Sequence, residues 1–149
     1  MLTLTKSQIL EIQNNEPPYL MIDCATDIVP GRTANGFKEL KKNEWFFDVH
    51  WKNDPNMPGM LQIEALTQMA SLSILTLPGN KKKFLYLISA NNISFKRKVL
   101  PNSKLEIFTK VISFKRGIGE FFGEGRVNSE IACQANFRLI LPEKIISPN

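Results

Sequence analysis

The chain has 149 residues, of which 43% are hydrophobic and 22% are charged, a balance typical of one globular domain of ordinary composition. The 19 basic and 14 acidic residues leave a net charge of +5, which fits either an acidic partner or simply a solvated surface. One histidine and two distant cysteines are too few for a zinc site of the usual kind, so we expect no metal and two buried free thiols.

The N-terminal segment, Met1–Pro18, lacks the long apolar stretch of a signal peptide, and no run in the chain reaches the length of a membrane span. These features predict a cytoplasmic protein that is not inserted in a membrane. Apolar spacing predicts a short helix over Leu4–Gln13, ended by the prolines that follow it. Strands are predicted at Tyr19–Asp23 and Arg32–Leu40, and Trp45–Trp51 is predicted to be an aromatic strand.

The segment from Pro58 to about Thr76 is the strongest helix prediction. A proline is well tolerated in the first turn, and Leu77-Pro78-Gly79 ends the pattern. Apolar residues point in almost every direction around this helix, which is typical of a buried one. About 19 residues would span roughly 28 Å, the width of a small domain.

After this helix the pattern changes to strands separated by short turns, at Phe84–Phe95, Lys104–Phe114, Gly119–Val127 and Ile131–Leu141. Successive strands with short turns indicate an antiparallel meander. We therefore predict one α+β domain over residues 1–149, with an antiparallel sheet of five to six strands wrapped around the long helix.

The long helix carries one polar stripe, formed by Glu64, Gln68 and Ser71. Burying an unpaired carboxylate is unfavourable, so the stripe faces water, a second subunit or a functional site. His50 lies eight residues before the helix, at the end of the predicted aromatic strand, as a structural residue or a base. Gly59 stands at the helix start, where unpaired N–H groups favour an oxyanion; the alternative is an ordinary helix entry.

Six positions lie in the register of a known motif: His50, Pro55, Pro58, Gly59, Glu64 and Gln68. This set resembles the hot-dog-fold 3-hydroxyacyl-(acyl carrier protein) dehydratases of bacterial fatty acid synthesis, the FabZ/FabA type. Similarity extends to Tyr19–Asp23, Asn43–Phe47 and Phe95–Pro101, and so over nearly the whole chain. Departures adjoin the histidine on both sides, since Val49 stands where the family usually has Gly and Trp51-Lys52 stands where it has Phe-Pro.

The resemblance implies loss of water from a 3-hydroxyacyl thioester to give a trans-2-enoyl thioester. His50 would remove the C2 proton, the Gly59 N–H would stabilise the thioester oxygen, and Glu64 would protonate the leaving hydroxyl. Gln68 would orient Glu64 or the substrate. No metal or bound cofactor is implied, because the substrate arrives on the phosphopantetheine of acyl carrier protein or on CoA.

The resemblance also implies a homodimer, or a hexamer built as a trimer of dimers, with the histidine and the glutamate of each site on different subunits. Lys96, Arg97 and Lys98 are candidates for docking an acidic carrier protein, or are simply a solvated turn. The basic residues are otherwise scattered, and no motif predicts nucleic-acid binding.

Two other functions are compatible with the sequence. A hot-dog thioesterase would use Glu64 to activate water, although the His/Glu spacing disfavours it. A non-catalytic subunit that binds the acyl carrier is suggested by the altered neighbours of His50.

Overall fold

A computed structural model describes residues 1–142 of the chain. Seven strands and three helices follow one another within these residues: β1 (Leu2–Leu4), α1 (Lys6–Ile12), β2 (Cys24–Val29), β3 (Thr33–Leu40), α2 (Trp45–Val49), α3 (Gly59–Leu75), β4 (Tyr86–Phe95), β5 (Ser103–Lys115), β6 (Ile118–Val127) and β7 (Glu130–Ile140). The strands form one sheet in the order β1-β2-β3-β5-β6-β7-β4, with every neighbouring pair antiparallel. The predicted α+β class is confirmed.

Helix α3 is the centre of the core, as its sequence pattern predicts. Twelve of its 17 residues are buried, and it packs against β2, β3, β5, β6 and β7. A Cβ at Gly123 would lie only 3.1 Å from the Leu66 Cβ, so this glycine lets the helix approach β6 closely. Each large aliphatic side chain buried in this layer contributes about 1.5–3 kcal/mol of transfer free energy.

The first helix is confirmed, and the strand predicted after it is wrong. Thr5 begins α1 with a capping box. Its hydroxyl accepts a hydrogen bond from the Gln8 N–H, and the Gln8 side chain accepts one from the Thr5 N–H. Residues 19–23 are a turn and an extended loop instead of a strand. The N–H of Met21 bonds to the side chain of Gln68 at 2.7 Å, so it does not pair with a neighbouring strand. The strand begins only at Cys24.

The predicted aromatic strand before the long helix is also wrong, because Trp45–Val49 forms the short helix α2. Phe46 and Phe47 are consecutive and both buried. A strand sends consecutive side chains to opposite faces, whereas one turn of helix can direct both into the core. His50 therefore caps a helix, and its N–H bonds to the Phe46 carbonyl at 3.0 Å.

The sheet has seven strands in the described chain, against the predicted five to six, because β1 and β2 were not recognised. The four strands after α3 are confirmed to within two residues at each end. Within residues 1–142, β4 is an edge strand whose one neighbour is β7. Both cysteines are free, with Cys133 buried and Cys24 half-buried. No helix within residues 1–142 is long and apolar enough to cross a membrane.

Candidate active site

The imidazole of His50 is held in one tautomer by the backbone. Its Nδ1 lies 3.2 Å from the carbonyl oxygen of Asn56. Because a carbonyl can only accept, the proton of the neutral ring is on Nδ1 and Nε2 keeps a free lone pair. The Asn56 side chain is buried and donates to the Asp54 carbonyl at 2.7 Å, which fixes the loop that carries this acceptor. The geometry suits a base that works through Nε2.

The loop between His50 and α3 is also tied to the segment that follows β4. The Met57 N–H donates to the Val99 carbonyl at 2.8 Å. Lys98 forms a two-contact ion pair with the carboxylate of Asp54, at 2.9 and 2.8 Å. These cross-links connect the entry of α3 to the edge of the sheet.

Gly59 is the first residue of α3, so its N–H has no acceptor within the helix and lies at the positive end of the helix dipole. A Cβ at this position would lie 2.7 Å from Cζ of Phe95 and 2.9 Å from its Cε1. The aromatic ring therefore packs directly on the glycine, and any larger residue would displace it. This backbone donor can serve an oxyanion, as the motif predicts.

Glu64 is half-buried one turn and a half into α3, and Gln68 holds it. The Gln68 Nε2 donates to Glu64 Oε1 at 2.9 Å and to the Tyr19 carbonyl at 3.0 Å. Its Oε1 accepts from the Met21 N–H. The Gln68 amide is thus engaged with protein groups on both sides, which favours the orienting role over substrate contact.

Tyr19 is a neighbour of Glu64 that the motif spacing does not predict. Burial, and then the negative charge of Glu64, raise the pKa of the Tyr19 phenol. The phenol is therefore neutral at physiological pH and lies within the electrostatic reach of the carboxylate. Tyr19 is 47% exposed, so the surroundings of Glu64 open to the surface on this side.

The third member of the polar stripe, Ser71, lies farther along α3. Its hydroxyl donates to the Thr67 carbonyl at 2.8 Å. Gln68, Ser71 and Leu75 line a partly open cavity of about 160 Å³ that is also lined by residues 13–15 and 83–85. The two ends of the stripe, Glu64 and Ser71, are therefore half-buried, whereas Gln68 between them is buried.

No contact joins His50 to Glu64 in the part of the chain that the structure describes. The histidine touches Trp51 and Asn56, whereas the glutamate touches Thr67 and Gln68. Across residues 1–142, no group of three or more His, Cys, Asp or Glu side chains is placed to hold a metal ion.

The three basic candidates for carrier docking differ in their surroundings. Arg97 pairs with Glu130 and donates from Nε to the Ile131 carbonyl at 3.1 Å. Lys98 is paired with Asp54, as described above, and the side chain of Lys96 is exposed. All three lie just after β4, close to the anchored loop of His50.

Sequence reasoning missed three contacts of the site. Asn56 supplies a backbone carbonyl, which any residue type could supply, so no residue type reveals it. Phe95 covers Gly59 from 36 positions away, a contact that only the fold creates. The stacking of Trp51 on His50 had a signal, because Trp51 is one of the departures from the family motif next to the histidine.

Comparison with known proteins places the chain in a family. Residues 14–136 match the family model of the FabA-like domain. The 3-hydroxyacyl-(acyl-carrier-protein) dehydratase FabZ of Bacillus licheniformis is 33% identical over 141 residues, covering 95% of this chain and 98% of that protein. The FabZ of Syntrophomonas wolfei is 34% identical over 140 residues, covering 94% and 97%.

The solved structures agree on the fold. The dehydratase heterocomplex ApeI:P from Xenorhabdus doucetiae superimposes with a TM-score of 0.76 over 91% of both chains, at 12% identity. That likeness carries the fold alone and bears out the predicted hot-dog arrangement. Because the family model covers most of the chain and the FabZ relatives match it almost end to end, this chain belongs to the FabA-like family.

Proposed function

We propose that this protein dehydrates a 3-hydroxyacyl thioester on acyl carrier protein to the trans-2-enoyl thioester. The observation that carries the proposal is the pairing of motif with geometry. His50 presents a free Nε2, Gly59 offers a helix-start N–H, and Glu64 is held by Gln68. The relatives that match the chain end to end are named as dehydratases of this substrate class.

The proposed reaction breaks two bonds and forms one double bond. His50 Nε2 takes the C2 proton while the thioester oxygen, which becomes negative, accepts from the Gly59 N–H. The electron pair of the C2–H bond forms the C2–C3 double bond as the C3–O bond breaks. Glu64 gives its proton to the departing hydroxyl, which leaves as water. Proton exchange between solvent and the two side chains then restores the starting state.

The proposal assigns no cofactor to the protein. Each step uses a side-chain proton or a backbone donor, and the phosphopantetheine arm belongs to the substrate. Lys96, Arg97 and Lys98 are the proposed contact for an acidic carrier, because they lie beside the anchored loop of His50. Location in the cytoplasm stays a prediction.

A second copy of the chain is the proposed occupant of the exposed edge strand β4. Large apolar side chains on and beside this strand are exposed: Phe84, Tyr86, Leu87, Ile88, Ile93 and Phe95. An open edge with an apolar surface is a template for another strand, and most homodimers are symmetric. Antiparallel pairing of β4 with its copy would join two sheets and bring a partner toward the polar stripe of α3.

Such a dimer supports the expectation that His50 and Glu64 of one site come from different chains, since they make no contact within one. The test of assembly is sedimentation of Ile88→Lys, with Leu2→Lys on the opposite edge strand as matched control. We expect the wild type and Leu2→Lys at twice the 17.0 kDa of one chain or a multiple of it, and Ile88→Lys as a monomer. A monomeric wild type would overturn the dimer.

The test of the reaction is turnover of 3-hydroxyacyl and enoyl thioesters on acyl carrier protein and on CoA. We expect interconversion of the two, and a loss of about 100- to 10,000-fold in His50→Ala and in Glu64→Gln. Thermal unfolding must show that both variants fold. Release of free thiol without an enoyl product would favour the thioesterase, and carrier binding without turnover would favour the non-catalytic subunit.

A further inference from the structure

His50 and Trp51 form a stacked ring pair at the start of the loop between α2 and α3. Their ring centroids are 4.5 Å apart and their planes differ by 15°. Trp51 is 59% exposed, so its indole does not serve as a core side chain. We propose that Trp51 is a positioning residue for the catalytic base, which holds the imidazole plane and favours the protonated ring during turnover. This inference rests on the proposed function.

The ring of His50 needs a second constraint besides its hydrogen bond. The contact between Nδ1 and the Asn56 carbonyl fixes one edge of the ring but leaves the ring free to pivot about that contact. A flat aromatic surface parallel to the imidazole restricts this pivot, because tilting the ring would separate the stacked faces. The two contacts together hold Nε2 in one direction, which is what a base needs to reach a C2 proton repeatedly.

The stack also acts on the charge that the reaction creates. When Nε2 takes the substrate proton, the imidazole becomes a cation against an indole face, and tryptophan is the best aromatic partner for a cation. The charged groups on the elements around His50 are Asp48 on α2, Lys52 and Asp54 in the loop, and Lys98 after β4. Lys98 already pairs with Asp54, and the indole face lies directly against the imidazole, where it can stabilise the cation.

The family motif has phenylalanine at the position of Trp51. A phenyl ring can stack in the same way with a smaller face and weaker attraction for a cation. Trp51→Phe is therefore the conservative variant, and Trp51→Ala removes the stack. Trp45→Phe is the matched control, because Trp45 contacts Phe46 and the Pro18 carbonyl and has no contact with His50.

The first measurement needs no substrate. Since the chain has a single histidine, the imidazole resonances in an NMR spectrum belong to His50 without ambiguity. A stacked indole displaces these resonances through its ring current. We expect them to move in Trp51→Ala and to stay in place in Trp45→Phe. Unchanged resonances in Trp51→Ala would overturn the stack, whatever the activity of the protein.

The second measurement is steady-state turnover of the 3-hydroxyacyl thioester. We expect kcat of Trp51→Ala to fall by about 3- to 30-fold with KM nearly unchanged, and Trp51→Phe to recover most of the loss. Shifted resonances with an unchanged kcat would overturn the positioning role. An inactive wild type with the resonance shift present would overturn the proposed function instead, so the two failures are distinguishable.

Discussion

Replacement of Gln68 by alanine tests the claim that this residue holds both Glu64 and the loop before β2. The change removes the acceptor of the Met21 N–H, whose residue is fully buried, and the donor to the Tyr19 carbonyl. An unpaired buried donor costs about 1–3 kcal/mol, and an ordinary lost hydrogen bond about 0.5–1.5 kcal/mol. Water from the cavity beside Gln68 can replace some of the hydrogen bonds that the amide makes, which lowers the cost. We therefore expect a loss of about 1–4 kcal/mol in the free energy of unfolding.

Urea unfolding followed by circular dichroism measures this loss. Ser71→Ala is the control, because it lies on the same stripe of α3 and donates only to the Thr67 carbonyl one turn earlier. We expect this control to change the free energy of unfolding by less than about 0.5 kcal/mol. A loss below about 1 kcal/mol in Gln68→Ala would show that the amide does not hold the loop, and would refute the reasoning.

Three further predictions are read by the same unfolding method. Gly59→Ala places a Cβ against the Phe95 ring, so we expect a loss of about 1–3 kcal/mol that Phe95→Ala relieves; strictly additive effects would contradict the clash. Burial raises the pKa of the Cys133 thiol to about 11, from an ordinary 9.0. Because the unfolded thiol ionises first, the wild type should lose about 1.4 kcal/mol per pH unit relative to Cys133→Ala between pH 9 and 11, and parallel profiles would contradict this. Lys98→Ala breaks an exposed ion pair with Asp54, so we expect the free energy of unfolding to fall by at most about 1 kcal/mol, and a clearly larger loss would contradict this.

The parts of the fold that the sequence predicts well are those whose pattern repeats. Helix α3 and the strands after it carry many apolar residues in one period, so local errors do not change the assignment. The strand prediction at Tyr19–Asp23 failed because the apolar residues there are buried in the core from a loop. The Met21 N–H bonds to the side chain of Gln68, 47 positions away, and not to a neighbouring strand. Helix α2 was predicted as a strand because its five residues are too few to show a helical period.

The candidate site follows a similar division. Motif spacing predicts roles for His50, Gly59, Glu64 and Gln68, since each residue type has chemistry that suits the proposed reaction. Their partners come from other elements, as when the Phe95 ring covers Gly59, and only the fold reveals these contacts. The separation of His50 from Glu64 within one chain is likewise a property of the structure, and it makes the assembly of the site the central question.

The most direct test of this account is complementation between two inactive variants. His50→Ala and Glu64→Gln are mixed, unfolded together and refolded, and dehydration of the 3-hydroxyacyl thioester is measured. If each site takes its histidine from one chain and its glutamate from the other, mixed dimers hold one intact site, and the mixture should recover about one quarter of wild-type activity. Activity no higher than that of the separate variants, with mixed dimers present, would contradict a site shared between two chains.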